Sequence, residues 1–131
     1  MGDPAPSLLA NVDSLDNLYP MLDDININPG WHKPEPSLWA EPRKTFRPHH
    51  WRYTQARAAI DAAGRLIDTK LAERRNLILY NPIEGNTYAT ARTIITAYQM
   101  VMPGEIARSH RHVANALRFV LDAEPDRKSV V

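Results

Sequence analysis

Eight of the eleven prolines fall in the first 50 residues. Each fixes φ and removes an amide donor, so neither a long helix nor a central strand suits that stretch. One short helix is expected within Ser7 to Leu22, where Leu8, Leu9, Val12, Leu15 and Leu18 recur at roughly helical spacing. Asn28-Pro-Gly30 and a tract bearing Trp31, Trp39, Phe46 and Trp51 follow. So many large aromatics argue against a disordered linker. The stretch reads as an ordered arm that wraps over a neighbouring surface, in this chain or in a partner.

Beyond the arm the pattern changes twice. Ala56, Ala59, Ile60, Ala63 and Ile67 form one stripe at i, i+3, i+4 spacing, which predicts a helix over 51–67. Gly64 weakens it by about 1 kcal/mol relative to alanine. Residues 69–75 either continue the helix or make a short turn. The pair Arg74-Arg75 reads most simply as helix C-terminal cations facing the dipole. Leu77-Ile-Leu-Tyr80 is then a short buried strand, and Glu84-Gly-Asn86 a turn. The β-branched and aromatic run Thr93 to Met102 predicts a strand, Pro103-Gly104 turns the chain, and further extended pieces are expected at 110–112 and 117–121. No internal repeat appears.

The totals exclude several function classes. A chain of 131 residues suits about one domain. Net charge is +1, which gives no electrostatic case for nucleic acid or an anionic membrane surface. Residues 51–131 carry 12 basic against 8 acidic groups, a balance that suits a small anionic ligand. With no cysteine, disulfides, thiolate metal sites and a cysteine nucleophile are all excluded. No signal-peptide pattern and no apolar run of about 18 residues is present, so a cytoplasmic location and no membrane span are expected.

The chemistry-bearing stretch is Pro103-Gly-Glu-Ile-Ala-Arg-Ser-His110-Arg-His112. On an extended strand, side chains two apart share a face, so His110 and His112 converge on one point while Arg111 points away. Neutral imidazole is a good ligand for iron, zinc, copper or nickel, but two imidazoles do not close a site. His32, His49 and His50 lie in the arm and read as solvated. Gln99 and Arg118 flank the pair; Arg118 shares the histidine face if the strand is regular from 112 to 118. As plain strand residues, Gln99 would cap a sheet edge and Arg118 would be solvated.

Pro-Gly-Glu, five residues, then His-x-His resembles the first half of the cupin signature. The longer string Tyr98-Gln-Met-Val-Met-Pro-Gly-Glu through Ala-Leu-Arg118-Phe resembles the first cupin domain of the gentisate 1,2-dioxygenases, which include salicylate and hydroxynaphthoate ring-cleaving relatives. Ala72-Glu-Arg-Arg-Asn-Leu-Ile-Leu-Tyr-Asn-Pro82 and the Trp51 helix resemble the same family, so the likeness covers about residues 36–121.

The resemblance implies an α+β, mostly β chain: a proline-rich arm (1–50), a helical segment (51–75), and the first strands of an incomplete cupin, a double-stranded β-helix or jelly roll (76–131). It implies an oxidoreductase using non-haem Fe(II) and O2 to cleave a small aromatic carboxylate, gentisate giving maleylpyruvate, in a homo-oligomer that is a tetramer in the family. By motif position His110 and His112 are metal ligands, with a third histidine in a second motif absent from this chain. Gln99, Arg118 and Arg74 map to substrate-binding positions, and no residue here is assigned as catalytic. The motif glutamate of four-ligand cupins is replaced by Ala116 and Leu117, which suits the three-histidine type. The alternative is a non-catalytic cupin-like binding or assembly module.

Overall fold

A computed structural model describes residues 3–32, 41, 43–111 and 114–122. Among the described residues four helices and three strands follow in the order α1 (Pro6–Ala10), α2 (Leu15–Asp24), β1 (Ile27–Pro29), α3 (Tyr53–Leu66), α4 (Thr69–Ala72), β2 (Leu77–Leu79) and β3 (Thr96–Tyr98).

The single helix expected between Ser7 and Leu22 is divided into α1 and α2. The reason is local hydrogen bonding by short polar side chains, which competes with the helix ladder. Asn11 Nδ2 donates to the Ser7 carbonyl at 2.8 Å and Asn17 Nδ2 to Asp13 Oδ1 at 2.8 Å. Ser14 is extended and its hydroxyl accepts from the Asn17 amide, so it caps a new helix. Pro20 stands inside α2 on its exposed side, where a missing amide donor is least costly.

Helix α3 realises the expected stripe. Ala56, Ala59, Ile60 and Ala63 are buried, joined by Ala58 and Ala62, and the small side chains let α1 and α2 lie close. Leu9, Leu18 and Leu22 fill the space above them at 0 % exposure. Arg65, in the last turn of α3, reaches the Ala10 carbonyl at the end of α1, at 2.7 Å. Gln55 Nε2 donates to the Pro4 carbonyl at 2.9 Å. Ile67 is buried as expected, but it is extended and not helical. Asp68 then caps α4 through the Lys70 and Leu71 amides.

The sheet is antiparallel with order β1-β2-β3. Ile27 pairs with Leu79 and Pro29 with Leu77; Leu77 pairs with Tyr98 and Leu79 with Thr96. Strand β2 is central and wholly buried, whereas β1 is an edge and so tolerates Pro29. The aromatic tract is ordered where it is described: Trp31 Nε1 donates to Tyr19 Oη and Trp51 Nε1 to the Asn26 carbonyl. Trp39 lies outside the described residues.

The strand expected over 93–102 shrinks to three residues. Thr90 Oγ1 donates to the Leu79 carbonyl and accepts from the Thr96 amide, so its side chain closes the ladder at one end. At the other end Met100 N–H turns to the Arg74 carbonyl and Met102 N–H to a Glu105 carboxylate oxygen. The expected turn at Pro103-Gly104 is present, with Gly104 at φ +83. Among the described residues of 105–122 no strand forms, contrary to the expectation for 110–112 and 117–121. These residues have no neighbouring ladder to join: Ile106, Leu117 and Phe119 are 85 %, 96 % and 83 % exposed. The result is a small open sheet with helices on it, a partial β arrangement. Among the described residues no helix is long and apolar enough to cross a membrane.

Candidate functional site

The link between α4 and β2 is where the sheet, the helices and the histidine segment meet. Its backbone is unusual. Glu73 has φ +56 and ψ −70, and the Arg74 amide donates to the Ala72 carbonyl at 2.6 Å, which makes a γ-turn of the rare, strained kind. Arg75 has φ +48. Two non-glycine residues with positive φ, on either side of Arg74, are costly unless the surroundings demand them. What they achieve is to turn two consecutive arginines inward. Arg74 and Arg75 are 7 % and 2 % exposed.

The reading of this pair as helix C-terminal cations facing the dipole is therefore corrected. Helix α4 stops at Ala72, and both guanidinium groups serve the segment 102–110. Arg75 forks onto Glu105: Nη1 donates to Oε2 at 2.5 Å and Nη2 to Oε1 at 2.6 Å. Its Nε donates to the Ile67 carbonyl at 2.7 Å. All three faces of the guanidinium are thus occupied in the planar geometry that suits a carboxylate. Glu105 Oε2 also accepts from Met102 N–H at 2.8 Å, which closes the turn around Pro103-Gly104.

Arg74 grips the segment five residues further on. Its Nη2 donates to the Arg108 carbonyl, and its Nη1 lies 2.7 Å from His110 Nδ1. Guanidinium has no acceptor, so His110 Nδ1 accepts and carries no proton in this arrangement. Glu73 stands 3.6 Å from Arg74 Nη1 on the solvent side. One link of two residues thus holds a turn, a carbonyl and a ring.

The Arg75 fork holds the Glu105 carboxyl down at about 2, from an ordinary 4.5; partial burial works against this and the Met102 amide assists it. The folded value lies below the unfolded one, so this contribution is complete above pH ~4.5 and is lost as pH falls toward 2. Thermal melts of the native chain and Glu105→Gln should therefore differ at pH 7 and converge by pH 2. A gap unchanged across that window would contradict the fork.

Of the residues singled out in the sequence, Arg74 and His110 come together. Gln99 is exposed just beyond β3, and Arg118 is exposed in the segment 114–122. His112 lies outside the described residues. His32 stacks on Tyr19 with ring centroids 3.7 Å apart, and His49 meets Trp51 edge-on at 4.6 Å. Glu105 and Arg75 were missed as a pair. Glu84 and Glu105 are the acidic residues between Arg75 and His110, and that scarcity is the signal that could have pointed to Glu105.

Iron does not fit the described residues as they stand. Among them no group of three His, Cys, Asp or Glu side chains converges, and the Nδ1 lone pair of His110 faces a cation.

No family model and no solved structure matches the chain. Curated proteins do. Gentisate 1,2 dioxygenase 1 of Aquipseudomonas alcaligenes is 37 % identical over 105 residues, 79 % of this chain and 30 % of that protein. The 5-aminosalicylate 1,2-dioxygenase of Comamonas sp is 40 % identical over 106 residues, 80 % of this chain and 28 % of that protein. The 1-hydroxy-2-naphthoate 1,2-dioxygenase of Nocardioides sp. (strain KP7) is 35 % identical over 91 residues, 69 % and 24 %. The chain spans less than a third of the length of these relatives. Identity of this order over about four fifths of the chain agrees with what the Pro-Gly-Glu and His-x-His string implied, and it makes the chain a sequence relative of the gentisate 1,2-dioxygenases over the part of those enzymes that it spans.

Proposed function

We propose that this chain forms the beginning of a gentisate-type ring-cleaving dioxygenase and contributes two imidazoles, His110 and His112, to an Fe(II) centre of cupin type. The observation that supports this is the 35–40 % identity to proteins named for gentisate, aminosalicylate and hydroxynaphthoate cleavage. The third ligand would come from a second motif, as the resemblance implies; among the described residues no group of three His, Cys, Asp or Glu side chains converges. Fe(II) would supply the site at which the ring oxygens and O2 meet. The substrate class is an aromatic carboxylate with a neighbouring hydroxyl, with O2 inserted between the carboxyl- and hydroxyl-bearing carbons; gentisate would give maleylpyruvate. Arg118 suits the carboxylate, since guanidinium pairs with it in bidentate fashion, and Gln99 suits a hydroxyl. Assembly as a homo-oligomer belongs to this reading.

The test is a chimera in which residues 1–121 replace the matching part of the Aquipseudomonas alcaligenes enzyme. With Fe(II), gentisate and air it is expected to show ring-opening absorbance, while the 131-residue chain alone shows none. A chimera that folds and loads iron but opens no ring would sink the proposal. The second reading, a non-catalytic assembly module, is favoured by the exposure of Leu117 and Phe119. It would be supported by an inactive chimera together with a 131-residue chain that self-associates in sedimentation.

A further inference from the structure

We infer that Met102 is a site of reversible oxidation, where conversion of the thioether to the sulfoxide undocks the start of the histidine segment from helix α3.

The dock is a missing side chain. Gly64 lies two residues before the end of α3, where glycine is less favourable to the helix than alanine. Sulfur takes the place of its side chain. A Cβ on residue 64 would stand 2.9 Å from Met100 Sδ and 3.3 Å from Met102 Sδ, tighter than ordinary van der Waals contact. Both thioethers therefore rest against the bare backbone of α3. They bring the chain that leaves β3 onto the helix, just ahead of the turn at Pro103-Gly104.

The two methionines differ in their access to solvent. Met100 packs against the core, as Met21 does, and its amide donates to the Arg74 carbonyl. Met102 is 37 % exposed. Among the described methionines it is the one most open to a soluble peroxide. The sulfur lone pair attacks one oxygen of hydrogen peroxide; an S–O bond forms, the O–O bond breaks, and the other oxygen leaves as water after proton transfer. Sulfur loses two electrons and the peroxide gains them. Sulfoxide reductases return the thioether.

The product does not suit the dock. Oxidation turns a flexible apolar side chain into a polar one with a strong acceptor oxygen. The amides in the body of a helix are used in its own ladder, so an acceptor pressed against Gly64 finds no donor there. Solvent beside Met102 supplies one, and the side chain leaves α3. The turn then loses a fastening at the residue that begins it. Met102 N–H donates to Glu105 Oε2, and Glu105 N–H donates to the Met102 carbonyl. Both bonds lie next to the undocked side chain. Met100 stays in place and keeps the end of β3 as it was. The fork of Arg75 on Glu105 becomes the remaining described attachment of the turn, so the release is local.

The experiment treats the 131-residue chain with hydrogen peroxide and follows it by peptide mass spectrometry and amide hydrogen exchange. Met102 should gain oxygen about fivefold faster than Met21 and Met100, and the three should react alike in denaturing urea. Exchange at the Met102 and Glu105 amides should then rise about tenfold, while the Met100 amide keeps its protection. Met102→Leu keeps an apolar side chain on Gly64 and forms no sulfoxide there, so peroxide should leave exchange at these amides as it was. Gly64→Ala fills the dock without any oxidation and favours the helix, so it should fold and show the same loosening before peroxide is added. Met21 or Met100 reacting as fast as Met102 in the folded chain would overturn the inference. So would Met102 sulfoxide with both amides unchanged, protection lost at Met100 as well, native exchange in Gly64→Ala, or an equal response to peroxide in Met102→Leu. None of these readouts depends on iron or on ring cleavage.

Discussion

Arg75→Met should cost about 3 kcal/mol of stability, toward the low end of what breaking a buried ion pair costs. Methionine fills much of the arginine volume, so the loss reports polar groups and not a cavity. Three hydrogen bonds go at once: two to Glu105 and one to the Ile67 carbonyl. The Ile67 carbonyl loses that partner at a position where the residue is only 8 % exposed. The Glu105 carboxylate keeps the Met102 amide and a fifth of its side-chain surface in water, which is why the low end applies. Urea unfolding followed by circular dichroism measures the change, and a midpoint within error of the native chain would mean that the fork carries no stability. Arg75→Lys should recover only part of the loss, because an ammonium cannot present two parallel donors to one carboxylate.

His110→Ala in the chimera is the substitution with the largest expected effect on activity. Under the proposed function, iron content should fall at least tenfold and ring cleavage should disappear with it, both read on the same preparation by metal analysis and absorbance. The alanine protein should fold, since His110 is exposed and its described hydrogen bond is to a side chain that keeps the Arg108 carbonyl and Glu73. Loss of iron with a native melting curve is thus the expected pattern. Native iron content in His110→Ala would remove the residue from the ligand set. Arg118→Ala, by contrast, should leave iron bound and lower kcat/KM, because its proposed contact is to the substrate.

Much of the helical layer was legible in the sequence. Helix α3 follows from the period of Ala56, Ala59, Ile60 and Ala63, since burying such a stripe is the dominant driving force and leaves a period of 3.6. The buried strand at Leu77–Leu79 was legible for a similar reason. The relation to the gentisate dioxygenases was legible as a resemblance, carried by the string from Tyr98 through Pro103-Gly-Glu and His110-Arg-His112 to Arg118. What escaped was decided by side chains bonding to distant or neighbouring backbone. Asn11, Asp13 and Ser14 cut one helix in two. Thr90 and Glu105 take the amides that would have lengthened β3 at either end. Neither effect leaves a periodic trace.

The site was legible in part. His110 was singled out by its motif and Arg74 by resemblance, but their contact with each other was not expected. Arg75 was read locally, by its nearness to a helix end, whereas its position is set by an acid 30 residues away and by a left-handed backbone that no residue type announced. The exposed course of Leu117, Phe119 and Arg118 differs from the expected strand because a strand is stable only beside another one, and none of the described residues provides it.

The most direct measurement is a double-mutant cycle between Arg75 and Glu105, using Arg75→Met, Glu105→Gln and the two together at pH 7. If the inward-turned link holds the histidine segment through this fork, the double variant should unfold at nearly the same urea concentration as Arg75→Met, well above the midpoint that summing the single losses would give. Strictly additive losses would mean that the two side chains do not act on each other, and the account of how the turn at Pro103-Gly104 is fastened to the link would fail.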